Sequence, residues 1–182
     1  MIYLIGGIAR SGKTILRKEI LNTYKISGIG TDSIRYVLSH TQPELGIDHN
    51  KPSTHNGPLM WPYIDNLIEH LIKYDNEDFV IEGDVLLPEY LGKYVDDEKV
   101  KTCFVGFSNA KVKDKIKEMV DNSFKGDWTK DYSDKEMKKF VRSGIKRSKK
   151  SKKECKELGV EYFDTGKDFT ESVEDILSSY IK

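Results

Sequence analysis

Eight consecutive residues near the start of the chain, Gly7-Ile8-Ala9-Arg10-Ser11-Gly12-Lys13-Thr14, have the spacing G-x-x-x-x-G-K-[ST]. The glycines let the backbone curl until successive N–H groups point inward, an arrangement that suits an anion with several oxygens. A helix starting at the end of the loop adds its positive N-terminal end. Lys13 is spaced to reach the β- and γ-phosphates of a nucleotide, and Thr14 to offer its hydroxyl to Mg²⁺. The motif therefore predicts a loop that binds ATP with Mg²⁺.

A second set of residues could complete a site around that loop. Asp32 and Arg35 are three apart, so on a helix they share one face and can serve one pocket. Glu82-Gly83-Asp84 closes the apolar run Phe79–Ile81, and carboxylates there could hold Mg²⁺ through water or bind the hydroxyls of an acceptor. The chain has only five arginines, Arg10, Arg17, Arg35, Arg142 and Arg147, on a surface otherwise supplied with lysine. Arginine is the better residue for bidentate phosphate contact. Arg142 and Arg147 are five apart on one helical pattern, so at about 100° per residue they diverge, and one of them, Arg147 by preference, is expected to point inward.

These residues need a scaffold, and the apolar pattern supplies one. Ile2–Ile5, Ile26–Ile29, Phe79–Ile81, Lys101–Phe107 and Val160–Phe163 read as short strands, the first buried on both faces. Helical spacing follows Gly12 through Ile15, Leu16, Ile20 and Leu21, and continues around 31–38, 63–74, 110–120, 134–158 and 169–181. Strand alternating with helix predicts an α/β fold: a five-stranded parallel sheet with helices on both faces, forming three layers in one domain over 1–182. Two stretches depart from the pattern. Residues 41–62 hold four prolines, two glycines and two histidines, and read as a mobile excursion. Residues 121–150 open with a polar connector and read as a second mobile insert.

Composition excludes several classes of partner. Thirty basic residues balance thirty acidic ones, so no whole-molecule field draws the chain to nucleic acid or an anionic membrane. Lys146–Lys153 is strongly basic, but no aromatic ladder accompanies it, and a solvated helix face is the expected reading. Cys103 and Cys155 stand alone, and no histidine pair has metal-ligand spacing, so no zinc site is predicted. No apolar run reaches the length of a membrane span. A cytoplasmic protein is the expectation.

At the phosphate loop and at Asp32-Ser33-Ile34-Arg35 the chain resembles the small P-loop kinases, a group that includes adenylate kinase, 2-phosphoglycerate kinase, chloramphenicol phosphotransferase, polynucleotide kinase and zeta-toxin-type kinases. The resemblance implies γ-phosphoryl transfer from ATP to the hydroxyl of a small anionic acceptor. It implies Lys13, Asp32 and Arg147 as the catalytic set, with Asp32 taking the hydroxyl proton. Arg35, Glu82, Asp84 and Arg142 would lie on the acceptor side, Thr14 on the metal, and residues 121–150 would form a lid. Adenylate kinases carry an arginine after the third strand, where this chain has Val85-Leu86-Leu87-Pro88. A nucleoside monophosphate kinase is therefore the alternative reading, followed by a regulatory ATPase and a nucleic-acid end kinase.

Overall fold

A computed structural model of the chain describes residues 1–74, 77–123 and 126–181. Five strands form one parallel sheet: β1 (Ile2–Gly7), β2 (Ser27–Gly30), β3 (Phe79–Gly83), β4 (Val100–Gly106) and β5 (Glu161–Asp164), in the order β2-β3-β1-β4-β5. Among the described residues seven α-helices connect or flank them: α1 (Lys13–Tyr24), α2 (Thr31–Thr41), α3 (Ser53–Tyr74), α4 (Pro88–Gly92), α5 (Val112–Asp121), α6 (Asp134–Leu158) and α7 (Phe169–Tyr180). The expected α/β class, strand number and parallel pairing are all present.

The alternation of side chains along the strands divides the core. Ile2, Leu4, Ile81 and Phe104 face one side, against Ile64 and Ile68 of α3, Leu91 of α4 and Cys155 of α6. Tyr3, Ile5, Val80, Cys103 and Val105 face the other, against Leu16 and Ile20 of α1 and Val173 and Ile176 of α7. Every residue of the central strand β1 is buried, as an apolar run without polar alternation requires. A smaller cluster joins Met119 of α5 to Met137 and Val141 of α6.

Two local features correct the expected layout. Residues 41–62 are not an unpacked excursion: α3 begins at Ser53 and carries Pro58 and Pro62 inside it. Proline removes an amide donor, which ordinarily argues against a helix interior. Packing overrides it here. Met60 is fully buried, Trp61 stacks on Tyr90 with ring centroids 4.4 Å apart, and Gly57 lies against Leu87 and Tyr90. The loop before α3 is tied down by the fully buried Asn56, whose amide donates to the carbonyls of Asp48 (2.8 Å) and Lys51 (3.1 Å) and accepts from the Asp48 amide (3.1 Å). The second feature is α4, a short helix after β3 that the sequence pattern did not predict.

Helix α6 is 25 residues long and opens with a capping box between Ser133 and Glu136. Its buried residues are Met137, Val141, Gly144, Ser148, Ser151 and Cys155, alternating three and four apart. The lysine-rich run of this helix occupies the opposite, solvent-facing side, where Lys150 and Lys153 pair with Glu154 and Glu157. The expectation of a solvated face is met. Among the described residues no helix is long and apolar enough to cross a membrane.

Candidate nucleotide and acceptor site

The sheet topology brings the ends of β1, β2 and β3 side by side, and the loops that leave them carry the chemistry. Loop 7–14 turns from the centre of the sheet into α1. Gly12 adopts φ 95°, a left-handed conformation, and a Cβ there would lie 2.2 Å from the Phe169 ring. Glycine is therefore required both by the backbone and by the aromatic side chain packed on it. Ser11 is fully buried, and its carbonyl accepts from the Thr165 hydroxyl at 3.3 Å, which ties the loop to the chain beyond β5.

Lys13 is buried and donates to the Ile8 carbonyl at 2.9 Å, across the inside of its own loop. Burial pushes its ammonium below the usual lysine range; the carboxylates of Glu82, Asp84 and Asp32 oppose that shift, and Arg147 adds to it. A cation desolvated in this way gains when phosphate oxygens arrive. Lys13 thus lies within the electrostatic reach of all three acidic residues and of Arg147. Arg147 is half-buried, and its Nε is buried without a hydrogen-bond partner. Arg142, on a different face of α6, is exposed.

Thr14 donates its hydroxyl to Glu82 Oε1 at 3.1 Å. Glu82 is itself buried and pairs with Arg17, whose Nε lies 3.5 Å from the same oxygen. The two oxygens of Thr14 and Glu82 form a hard, adjacent donor set that fits Mg²⁺. No group of three or more His, Cys, Asp or Glu side chains that could hold a metal occurs among the described residues, so such an ion needs phosphate oxygens or water as further ligands.

On the far side of Glu82, Arg35 lies between two carboxylates. Its Nη2 donates to Asp84 Oδ1 at 2.5 Å, and its Nη1 lies 3.4 Å from Asp32 Oδ1. Arg35 is 11% exposed and Asp32 84%, so the guanidinium is set into the protein while the Asp32 carboxylate faces outward. The start of α2 can come this close to the end of β3 because residue 83 is glycine: a Cβ there would overlap the Thr31 side chain. The i, i+3 spacing of Asp32 and Arg35 brings the two side chains to 3.4 Å from each other.

Several residues in this region escape sequence reasoning. Arg10 belongs to the loop motif, yet its guanidinium leaves the loop: Nη2 donates to the Met119 carbonyl at 2.9 Å, and Nη1 lies 3.1 Å from Asp127 Oδ2. Lys115 of α5 is buried with its ammonium 2.6 Å from Glu118 and over the Phe107 ring at 4.6 Å. Burial lowers its pKa; Glu118 opposes the shift, and the nearby charges of Arg10 and Lys13 add to it. Arg17 stood among five arginines without a role. Nothing in composition separates Lys115 from the other lysines, or Asp127 from the acidic residues around it.

A cavity of about 320 Å³ opens where Val100, Lys101 and Glu161 start their strands, at the opposite end of the sheet from these residues. It brings together none of the groups described above.

No protein-family model matches the chain, and no curated protein matches it. Solved structures do. Shikimate kinase from Bacteroides thetaiotaomicron superposes with a TM-score of 0.60 at 14% identity, over 100% of this chain and 99% of that one. A gluconokinase from Sinorhizobium meliloti gives 0.56 at 14% identity, over 97% and 89% of the two chains. Shikimate kinase from Acinetobacter baumannii, solved with shikimate, gives 0.54 at 11% identity, over 99% and 89%. The fold is that of the small P-loop kinases. In this chain the segment Gly7–Thr14 follows the first strand of that fold. The narrower likeness to adenylate and 2-phosphoglycerate kinases remains one of motif.

Proposed function

We propose that the chain is an ATP-dependent kinase that transfers the γ-phosphoryl group to a hydroxyl of a small anionic metabolite. The observation that carries this reading is the triad Asp32–Arg35–Asp84 beside the phosphate loop: an outward carboxylate next to a guanidinium held in place by a second carboxylate. Asp32 accepts the proton of the attacking hydroxyl. Asp84 fixes Arg35, whose fork binds an anionic group of the acceptor. Lys13 and the loop amides of Gly7–Thr14 hold the β- and γ-phosphates, and Arg147 stabilises charge that builds on the transferring group. Thr14 and Glu82 would hold Mg²⁺, which supplies neutralisation of the phosphate charge when bound.

The kinases of similar fold are described as acting on shikimate and gluconate, both of which join several hydroxyls to one carboxylate. That chemistry matches a carboxylate base beside an anion-binding arginine, so such hydroxy acids are the first acceptors to offer. The decisive experiment is a metabolite panel with Mg²⁺-ATP, reading ADP release over the acceptor-free background. A hydroxyl compound that stimulates release, with its phosphate ester recovered, is the expected result. Stimulation by nucleoside monophosphates alone would favour the phosphate-acceptor alternative, and no stimulation by any compound would leave ATP hydrolysis or binding as the function.

A further inference from the structure

Arg10 and Asp127 form a buried connection between the phosphate loop and the segment that leads into α6. Arg10 sits in the middle of the loop with φ 64°, a left-handed conformation that a residue with a Cβ adopts only when its surroundings compensate. Its side chain is 13% exposed and that of Asp127 fully buried. The guanidinium caps the last turn of α5 through the Met119 carbonyl, one of the helix-end acceptors that lack an intrahelical donor. The Asp127 carboxylate divides its work. Oδ2 faces Arg10, while Oδ1 accepts from the Thr129 amide (3.0 Å) and hydroxyl (2.7 Å) and so caps the helical turn Trp128–Asp131. Burial disfavours this carboxylate, but the Thr129 hydrogen bonds and the Arg10 charge outweigh it and hold the carboxyl below its usual range.

The N–H groups that would receive phosphate belong to the same few residues whose middle member is anchored through Arg10. The anchor draws that long cationic side chain out of the loop and leaves the concave face to backbone N–H groups and Lys13. At the other end of the pair, the capped turn carries Trp128, which is 48% exposed and packs edge-on against Tyr132 and Phe140. Phe140 lies on α6, the helix that also bears Arg147.

We propose that Asp127 is a positioning residue for the phosphate loop, acting through Arg10, and that nucleotide occupancy of the loop is transmitted along this pair to the Trp128 turn. The inference rests on the nucleotide-binding reading of the loop, though not on the identity of the acceptor.

The test uses MgADP and the full chain carrying Trp61→Phe, so that Trp128 is the one remaining indole. Calorimetry gives the MgADP Kd, and Trp128 emission is followed in the same titration. The expected result is an emission change that saturates with the calorimetric Kd. Asp127→Asn should weaken MgADP roughly tenfold and abolish the emission change at saturating nucleotide. Because that variant leaves the Arg10 charge facing a neutral amide and can fail to fold, the deciding protein is the double variant Arg10→Met/Asp127→Leu, which removes both charges of the pair. It loses the caps on Thr129 and Met119 and should unfold at a lower temperature than the parent, yet stay folded in the assay and retain the weakened MgADP binding and the silent Trp128. A double variant with parental Kd and a responsive Trp128 would reduce the pair to a structural fastening and overturn the proposal. So would a parent chain that binds MgADP with no change in Trp128 emission. A parent that binds no MgADP at all would overturn the nucleotide reading on which the inference stands.

Discussion

The two halves of the candidate site are built on different principles. The half at Gly7–Thr14 is made of consecutive residues, and its chemistry is mostly backbone: amide groups, a left-handed glycine and a helix N-terminus. The half at Asp32, Arg35, Glu82 and Asp84 is made of side-chain charges from α2 and the end of β3, with Arg35 between Asp32 and Asp84 and Glu82 paired with Arg17. The first can be encoded in a motif because its geometry is local. The second exists only when β2 and β3 lie side by side, and it meets the loop where Thr14 donates to Glu82. A fold shared among kinases with different acceptors has reason to be built this way.

That division can be tested by damaging each half separately. The largest effect is expected from Asp32→Asn, which should lower kcat with a hydroxyl acceptor by roughly 10²–10⁴ while leaving the MgATP Kd unchanged. Rapid-quench or steady-state kinetics beside nucleotide calorimetry will show it; a drop of less than about threefold would remove Asp32 from proton transfer. Next in size is Lys13→Met, with a loss on the order of 10²–10³ in kcat accompanied by weaker nucleotide binding. If Lys13→Met instead changed only the acceptor KM, the separation into two halves would fail.

Arg35→Lys should be milder and confined to the acceptor half. A lysine keeps the charge but loses the fork that meets Asp84 and Asp32, so the acceptor KM should rise by about tenfold with the MgATP KM unaltered. An Arg142→Ala variant serves as the control for α6, since Arg142 is exposed and should leave both KM values unaltered.

The smallest effect concerns neither half, only the core beneath them. Burial raises the Cys155 thiol and the Tyr162 hydroxyl, each to about 12, from ordinary values of 9.0 and 10.0. The folded state holds these protons more tightly than the unfolded chain. Their stabilising contribution is complete below about pH 9 and is lost as pH rises toward 12. The urea midpoint should therefore fall steadily from pH 8.5 to 11. The depressed values of Lys13 and Lys115 act in the opposite direction, because the unfolded chain binds their protons more tightly, and they should soften the decline. A midpoint that climbs over this range would mean the lysines outweigh the thiols and phenols.

How much of this was legible beforehand depended on sequence distance. The strands and most helices followed from apolar spacing, because a strand buried on both faces and an amphipathic helix leave different periods. The start of α3 did not, because Pro58 and Pro62 contradict a helix locally. The signal that outweighs them is contact: Trp61 on Tyr90, and Asn56 satisfied by Asp48 and Lys51. The lysine run of α6 was legible as a solvated face, since the buried set from Met137 to Cys155 keeps helical spacing among the charges.

The sequence by itself determined the phosphate loop, the alternation that makes a parallel sheet, and the shared face of Asp32 and Arg35. Each depends on neighbours within a few residues, where covalent spacing fixes geometry. The tertiary structure decided the partners: Glu82 for Thr14, 68 residues away, and Asp84 for Arg35, 49 residues away. It also decided that Arg147 is half-buried while Arg142 meets solvent, and that Arg10 turns away from its own loop to join Asp127. A side chain's charge is written in the sequence. The charge it finally meets is set by packing, because elements far apart in the chain become neighbours only when the sheet and its helices bury their apolar faces together.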